Sequence, residues 1–244
     1  QDARVLLTAR GLRAFGDGFV SILLPVHLVQ LGLSNFQIGA VATSTLLGSA
    51  ALTLLVGVNA HRIGRRALLF RASVLMCVTG LGFALLRDFW PLLLIAFLGT
   101  INPSSGDVSV FLPTELALLP QTTSDAQRTA LFARFSMIGT LVAAFGALCA
   151  GGPSWLAAQR GIPLDLGIEA MFVVYALLGV LALLLYRKLS PAIEPDRETP
   201  PTPLGPSRRT VYSLSALFSL DSFGSGLVVQ SLLALWLFQR FGFA

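Results

Sequence analysis

The chain has 244 residues, of which 55% are hydrophobic and 12% are charged, and its formal net charge is +5. Soluble domains carry about 25% charged residues, so this composition excludes an ordinary globular protein and is typical of a chain that crosses a membrane several times. The positive residues lie in short segments between apolar stretches, not on one polar face, so we expect no nucleic acid partner. Cys77 and Cys149 fit no metal-ligand spacing, and we predict neither a metal site nor a cofactor.

Seven apolar stretches are long enough to cross a membrane as helices, which takes about 20 residues each. We predict spans at 9–31, 36–58, 67–86, 90–118, 131–152, 167–186 and 211–238. Of the 17 basic residues, three fall on the side opposite to the loop after the second span, namely Arg87, Arg160 and Arg240. Because Lys and Arg are retained in cytoplasmic loops, this bias predicts a multi-pass cell-membrane protein with a cytoplasmic N-terminus. The excess of arginine over lysine favours a bacterial inner membrane.

Within the first span, Asp17 is preceded one helical turn earlier by Arg13. Ionisable residues at membrane depth are costly and mark substrate or proton pathways. We therefore expect Asp17 to be a proton or cation site that Arg13 tunes; a fixed Arg13–Asp17 ion pair near the interface is the alternative. Near the outer end of this span, His27 and Gln30 are expected to line the outer mouth, unless His27 only forms a hydrogen bond.

Polar residues interrupt the fourth span at Asn102-Pro103-Ser104-Ser105-Gly106-Asp107. A broken helix survives in lipid only where protein or water satisfies the freed backbone groups, as in the binding sites of transporters. We expect Asn102, Ser104, Ser105 and Asp107 to line a cavity; a kinked packing helix is the alternative. For Glu115, further along this span, we expect a salt bridge to Arg65, Arg66 or Arg134.

Two stripes of small residues predict close helix contacts. The stripe in the fifth span is strictly spaced by four, and a weaker one lies in the second span; their members are Gly139, Ala143, Ala147 and Gly151, and Ala40, Ser44 and Gly48.

A proline-rich stretch at 189–209 contains six prolines among acidic residues, a composition that predicts a flexible linker. It divides the chain into a six-helix bundle at 1–188, the linker at 189–209 and one further helix at 210–244. That helix echoes the first at a constant offset, since Phe15-Gly16 aligns with Phe223-Gly224 and Gly18 with Gly226. Asp221 aligns with Arg13 and is predicted to be the counterpart charge. Parallel six-helix halves are a known transporter arrangement.

The loop between the second and third spans carries the most specific pattern, formed by Gly57, Arg62, Gly64, Arg65 and Arg66. Its spacing resembles the loop signature of the major facilitator superfamily. The resemblance implies an all-α, polytopic transmembrane bundle of six helices plus the first helix of a second half, whose remainder we expect to be missing from this chain. His61 stands where the family has an acid that locks the two halves together. The lock is therefore in doubt or responds to pH, or His61 is an exposed residue without a role.

The function that this resemblance implies is secondary active transport of a small molecule or ion by alternating access, coupled to protons. The partners are then the solute, the lipid bilayer and the second half of the chain. A non-transporting membrane assembly or scaffold protein on the same fold is the alternative, since a fold does not determine a function. The sequence holds no hydrolase, zinc-protease or phosphate-binding motif, so we do not expect an enzyme.

Overall fold

The computed structural model describes residues 2–59, 64–101, 109–193, 205–226 and 230–241, and within these ranges the chain is helical and contains no β-strand. The helices are α1 (Asp2–Gln30), α2 (Asn35–Asn59), α3 (Arg65–Leu85), α4 (Phe89–Leu98), α5 (Phe111–Leu118), α6 (Arg128–Cys149), α7 (Gly152–Arg160), α8 (Leu164–Arg187), α9 (Arg208–Gly226) and α10 (Gln230–Phe241). The all-α prediction is confirmed.

Five stretches of the described chain are long and apolar enough to cross a membrane: Asp2–Gln30, Asn35–Gly57, Arg65–Leu85, Asp125–Arg160 and Leu164–Arg187. They correspond to five of the seven predicted spans. The other two predicted spans are each described as a pair of shorter helices. The span at 90–118 contains α4 and α5, and the span at 211–238 contains α9 and most of α10.

Helix α1 is the centre of the bundle. It packs against α6 and α8 and also contacts α2 and α10. Its buried residues point in all directions, from Leu6 and Ala9 to Phe19 and Leu24. The first span is the most buried of the five although its mean hydropathy is the lowest, because α6 and α8 pack against it.

Glycines bring α1 and α6 into backbone contact. A Cβ atom on Gly18 would overlap the Ala143 backbone, and one on Gly146 would overlap the carbonyl of Phe15. The predicted stripe in α6 is therefore correct at Ala143 but shifts to Gly146 beyond it. Gly151 lies after the end of α6, where α7 begins. The shift arises because crossed helices meet along both three- and four-residue spacings.

The small residues predicted in the second span do form a contact, and α4 is the partner. The Ser44 hydroxyl donates a 3.2 Å hydrogen bond to the carbonyl of Leu93. One turn later, a Cβ atom on Gly48 would overlap the carbonyl of Phe97. Lipid provides no hydrophobic driving force between helices. Helix pairs in a membrane are therefore stabilised by close packing and interhelical hydrogen bonds such as these.

The first residues of the predicted flexible linker are packed against the bundle, which corrects that prediction for 189–193. Leu189 and Ile193 are buried in the apolar cluster formed by the ends of α1, α5 and α8. The backbone N–H of Ser190 donates a 3.1 Å hydrogen bond to the Asp2 carboxylate. The packed bundle therefore includes residues as far as Ile193, five positions beyond Lys188. Residues 194–204 are not described.

Candidate functional site

Several predicted site residues fall outside the described part of the chain. They are Asn102, Ser104, Ser105 and Asp107 in the interrupted span and His61 and Arg62 in the basic loop. Their roles stay predictions. The candidate site is therefore built from the residues that the structure describes around α1.

Asp17 lies at the point where α1 touches two other helices. Its neighbour Gly16 faces α8, where a Cβ atom would come within 2.9 Å of the Tyr175 ring. Its other neighbour, Gly18, faces the backbone of α6 at Ala143. Asp17 itself is half-buried between these two contacts. The two glycines thus let α6 and α8 approach α1 closely on both sides of one carboxylate.

The Tyr175 hydroxyl connects Asp17 to the end of α4. It lies 3.5 Å from Asp17 Oδ1 and 3.4 Å from the carbonyl oxygen of Thr100. The Thr100 hydroxyl is also 3.4 Å from it, and either group can be the donor. Thr100 and Tyr175 are buried, whereas Asp17 is not fully enclosed. We name Asp17, Thr100 and Tyr175 the Asp17 cluster.

Thr100 lies two residues before the predicted interruption at 102–107. One member of the Asp17 cluster is therefore close in sequence to the four residues that we expect to line a cavity. The carboxylate and the backbone carbonyl accept hydrogen bonds, and the two hydroxyl groups both donate and accept them, so the cluster can bind polar groups of a ligand or hold a proton.

One turn nearer the N-terminus, Arg13 is buried and forms an ion pair with Glu115 of α5. Glu115 is completely buried and accepts a second hydrogen bond, 2.6 Å long, from the Tyr186 hydroxyl of α8. Two of the predicted partners of Glu115, Arg65 and Arg134, were therefore wrong. The structure also gives Arg13 a carboxylate partner other than the expected Asp17.

Aromatic rings enclose this ion pair. The Arg13 guanidinium carbon lies 4.0 Å from the centre of the Phe111 ring, which stacks on Tyr186 at 6.1 Å. Removing two charges from water costs several kcal/mol each, so a buried pair needs additional bonds of this kind. We name Arg13, Phe111, Glu115 and Tyr186 the Arg13 cluster. It joins α1, α5 and α8 and is neutral as a whole if Arg13 and Glu115 are both ionised.

His27 and Gln30 have different environments. His27 is buried, with Nε2 2.9 Å from the carbonyl of Phe83 at the end of α3 and its ring 5.0 Å from that of Phe172. Gln30 is exposed at the last residue of α1. Arg87 and Glu169, which form a 3.0 Å ion pair, are the charged side chains near His27 in space. His27 thus joins α1 to α3 through a hydrogen bond. This arrangement is the alternative that the sequence left open beside a place in the outer mouth.

The described part of the basic loop connects α3 to the end of α5. Gly64 precedes the first turn of α3, and the Arg65 guanidinium donates a 2.8 Å hydrogen bond to the carbonyl of Ala117. Arg66 is half-buried and Gly57 exposed. Asp221 is an exposed residue of α9, far along the chain from the two clusters on α1. Among the described residues, no group of three or more His, Cys, Asp or Glu side chains is placed to hold a metal ion.

Sequence reasoning missed Thr100, Tyr175 and Tyr186. The two tyrosines are eleven residues apart, or close to three helical turns, so they lie on one face of α8. A pair of polar aromatic residues on one face of an otherwise apolar span is a usable signal, because a buried tyrosine hydroxyl needs a partner. Thr100 offered no comparable signal.

Comparison with known proteins agrees with this architecture. The profile of the Major Facilitator Superfamily matches residues 6–244. An uncharacterized membrane protein of Saccharomyces cerevisiae is 27% identical over 80% of this chain, which spans 44% of that protein. A D-xylose transporter of Levilactobacillus brevis is 31% identical over 47% of the chain, equivalent to 24% of its own length. The uncharacterized MFS-type transporter YcaD of Escherichia coli is 28% identical over 57% of the chain and 35% of its own.

The chain therefore spans less than half the length of each of these curated relatives. Two of them are named as transporters, and the family is one of membrane transport proteins, not of enzymes. The match extends over nearly all of the chain, including α9 and α10. On this match, and with its helices packed around α1, the chain belongs to the Major Facilitator Superfamily.

Proposed function

We propose that the protein is a proton-coupled secondary active transporter and that Asp17 is its coupling carboxylate. The observation that carries this proposal is the position of Asp17, half-buried at the contact of α1 with α6 and α8 and within reach of the Tyr175 hydroxyl. Alternating access requires a group that binds a proton or solute differently in two helix arrangements. A carboxylate at the junction of three helices meets that requirement, because any shift of α6 or α8 changes its surroundings.

Glu115 is a poor candidate for the same role. Protonation of Glu115 would remove the negative charge that balances Arg13 in a fully buried site, which costs more than the proton gains. Asp17 differs because it is only half-buried, so a proton or solute can reach its carboxylate. In this proposal Glu115 has a structural role, whereas Asp17 exchanges a proton or binds the solute.

The solute that we propose to test first is a neutral sugar or similar polyhydroxylated molecule. The Asp17 cluster provides a carboxylate and hydroxyl groups, which bind solute hydroxyls through hydrogen bonds. One relative is named as a D-xylose transporter, which supports this choice. Arg13 is paired with Glu115, which disfavours an anionic solute. Asn102, Ser104, Ser105 and Asp107 are proposed to contribute further polar groups to the site.

The membrane arrangement is proposed as well. The basic residues favour a cytoplasmic N-terminus in a bacterial inner membrane, and the length of the relatives favours a second bundle beyond α10. The two bundles are proposed to rock about the site, with the loop containing His61 and Arg62 closing the cytoplasmic side in one state.

The test is solute uptake by proteoliposomes that contain the full-length protein and carry an imposed pH gradient. Asp17→Asn is expected to abolish accumulation driven by the gradient while keeping exchange of labelled for unlabelled solute. The matched control is Asp125→Asn, because Asp125 is an exposed carboxylate whose ion pair with Arg128 is worth little. Gradient-driven accumulation that survives Asp17→Asn would remove Asp17 from the mechanism. No flux of any solute, with retention of a partner complex on purification, would favour a scaffold instead.

A further inference from the structure

The outward sides of α3 and α8 form one continuous apolar face. The two helices are antiparallel and very close, since a Cβ atom on Gly80 would lie 2.7 Å from the Ala176 nitrogen and one on Gly179 2.8 Å from Cys77 Sγ. The exposed residues of this face are aliphatic along both helices: Val74, Val78, Leu81 and Leu85 on α3, and Val173, Leu177, Val180, Leu181 and Leu184 on α8. Such a face, which no described helix covers, is suited to contact with lipid chains.

Three cations lie at one end of this face. The Arg187 guanidinium carbon is 5.6 Å from the centre of the Phe70 ring, which brings the end of α8 beside the start of α3. Arg71 and Lys188 are the next residues in each helix, and all three cations are exposed. Arg71 shares a stripe with Val74 and Val78, and Arg187 shares one with Leu184 and Val180. The cations therefore lie at the ends of the same helix stripes whose aliphatic residues form the apolar face.

These cations have no carboxylate partner within the described ranges of the chain. Arg13, Arg87 and Arg128, by contrast, do form ion pairs with carboxylates. The opposite end of the same face carries carboxylates instead of unpaired cations. There Arg87 pairs with Glu169, and the carboxylates of Asp88 and Asp165 are exposed beside it. One end of the α3–α8 face thus attracts anions and the other does not.

We propose that the α3–α8 face binds an anionic phospholipid, with its phosphate held by Arg71, Arg187 and Lys188 and its acyl chains lying along the aliphatic stripes. The three cations at one end of the face favour an anionic headgroup. The uninterrupted aliphatic surface beside them favours a lipid over a free anion. Basic residues beside a membrane interface attract anionic lipids at about 1 kcal/mol each, which is about fivefold in affinity. Phe70 holds Arg187 in place through its ring face, which reduces the cost of ordering that side chain on binding.

The bound lipid belongs to the leaflet where α3 begins and α8 ends. If the N-terminus of the chain is cytoplasmic, that is the inner leaflet. Lipid binding at this face does not depend on transport, because the face lies on the exposed side of α8, whereas Tyr175 of the Asp17 cluster lies on its buried side.

The experiment is native mass spectrometry of the purified protein in detergent with added phosphatidylglycerol or phosphatidylcholine. Bound phosphatidylglycerol is expected on the unaltered protein, with markedly weaker phosphatidylcholine binding. The triple variant Arg71→Gln, Arg187→Gln, Lys188→Gln is expected to lose affinity for phosphatidylglycerol on the order of a hundredfold. All three residues are exposed, so folding is expected to persist, and circular dichroism checks it.

The matched control removes exposed positive charge from the same end of the bundle but away from this face. Arg4→Gln with Arg134→Gln does so on α1 and α6, and phosphatidylglycerol affinity is expected to be unchanged. Equal losses in the triple variant and in this control would show general surface attraction and overturn the proposal. So would equal binding of both lipids. Stabilisation by inorganic phosphate equal to that by phosphatidylglycerol would identify a plain anion site and also overturn it.

Discussion

Tyr186 donates a 2.6 Å hydrogen bond to Glu115, and neither side chain is more than 2% exposed. Arg13 binds the other carboxylate oxygen, so one buried group receives bonds from α1 and α8 at once. Glu115 belongs to α5, the short helix that follows the undescribed residues 102–108. The Arg13 cluster therefore fixes α5 to the rest of the bundle by polar contacts in addition to apolar packing.

We expect Glu115→Gln to destabilise the protein by about 3–5 kcal/mol, because it leaves the Arg13 charge buried without its carboxylate. The measurement is the midpoint of chemical unfolding in detergent, followed by circular dichroism. Tyr186→Phe removes only the neutral donor and should cost about 1–3 kcal/mol.

The double variant Arg13→Met with Glu115→Leu tests the reason for that loss. Replacement of both charges by apolar groups of similar size avoids the stranded charge, so it should be much more stable than Glu115→Gln. A double variant as unstable as the single one would show that the ion pair itself, and not the uncompensated charge, accounts for the effect.

Gly18→Ala is expected to lower stability by about 1–3 kcal/mol, since its methyl group would force α1 away from the Ala143 backbone of α6. The control is Gly11→Ala on the same helix. A Cβ atom there would meet its nearest neighbour, Ile138 Cγ2, at an ordinary 3.5 Å. Alanine has the better helix propensity, so Gly11→Ala should be neutral or stabilising. Equal melting temperatures for the two variants would contradict the close approach.

Tyr175→Phe should slow transport by about tenfold or more while leaving the protein folded. A hydrogen bond to a charged group is worth about 1.5–3 kcal/mol, and the ring that fills the space beside Gly16 is retained. Initial uptake rates in proteoliposomes measure the effect. Unchanged rates would separate Tyr175 from the function of Asp17.

His27→Ala is expected to cost about 1–3 kcal/mol of stability because the Phe83 carbonyl loses its partner and the His27 ring leaves a space beside Phe172. Gln30→Ala, three residues later at an exposed position, is the control and should have no effect. If instead His27→Ala leaves stability intact and changes solute affinity, the predicted place of His27 in the outer mouth would be supported.

The sequence was most informative where the relevant spacing is local. Ser44 and Gly48 share one stripe of α2, so their joint contact with α4 followed from a four-residue period. Arg13 and Asp17 are also four residues apart, but the partner that Arg13 binds is 102 positions away. Periodicity places residues on a face of one helix and says nothing about which distant helix supplies the opposing charge, so Glu115 was assigned to the wrong arginines.

Composition failed in a different way at the linker. The prolines and charges of 189–209 dominate any average over that stretch and conceal the two apolar residues at its start. Leu189 and Ile193 are enough to bury that segment, because the cluster at the ends of α1, α5 and α8 offers them an apolar surface. An average of composition over a stretch of sequence cannot detect two single apolar residues that pack against the bundle.

That anchoring sets how far the rest of the chain can travel. Between Ile193 and Gly205 a fully stretched backbone reaches at most about 40 Å. Glu194, Asp196, Arg197 and Glu198 fall in this interval, and charges of this density do not pass through hydrocarbon. The start of α9 therefore lies within about 40 Å of Ile193, and we expect it at the same face of the membrane as the end of α8.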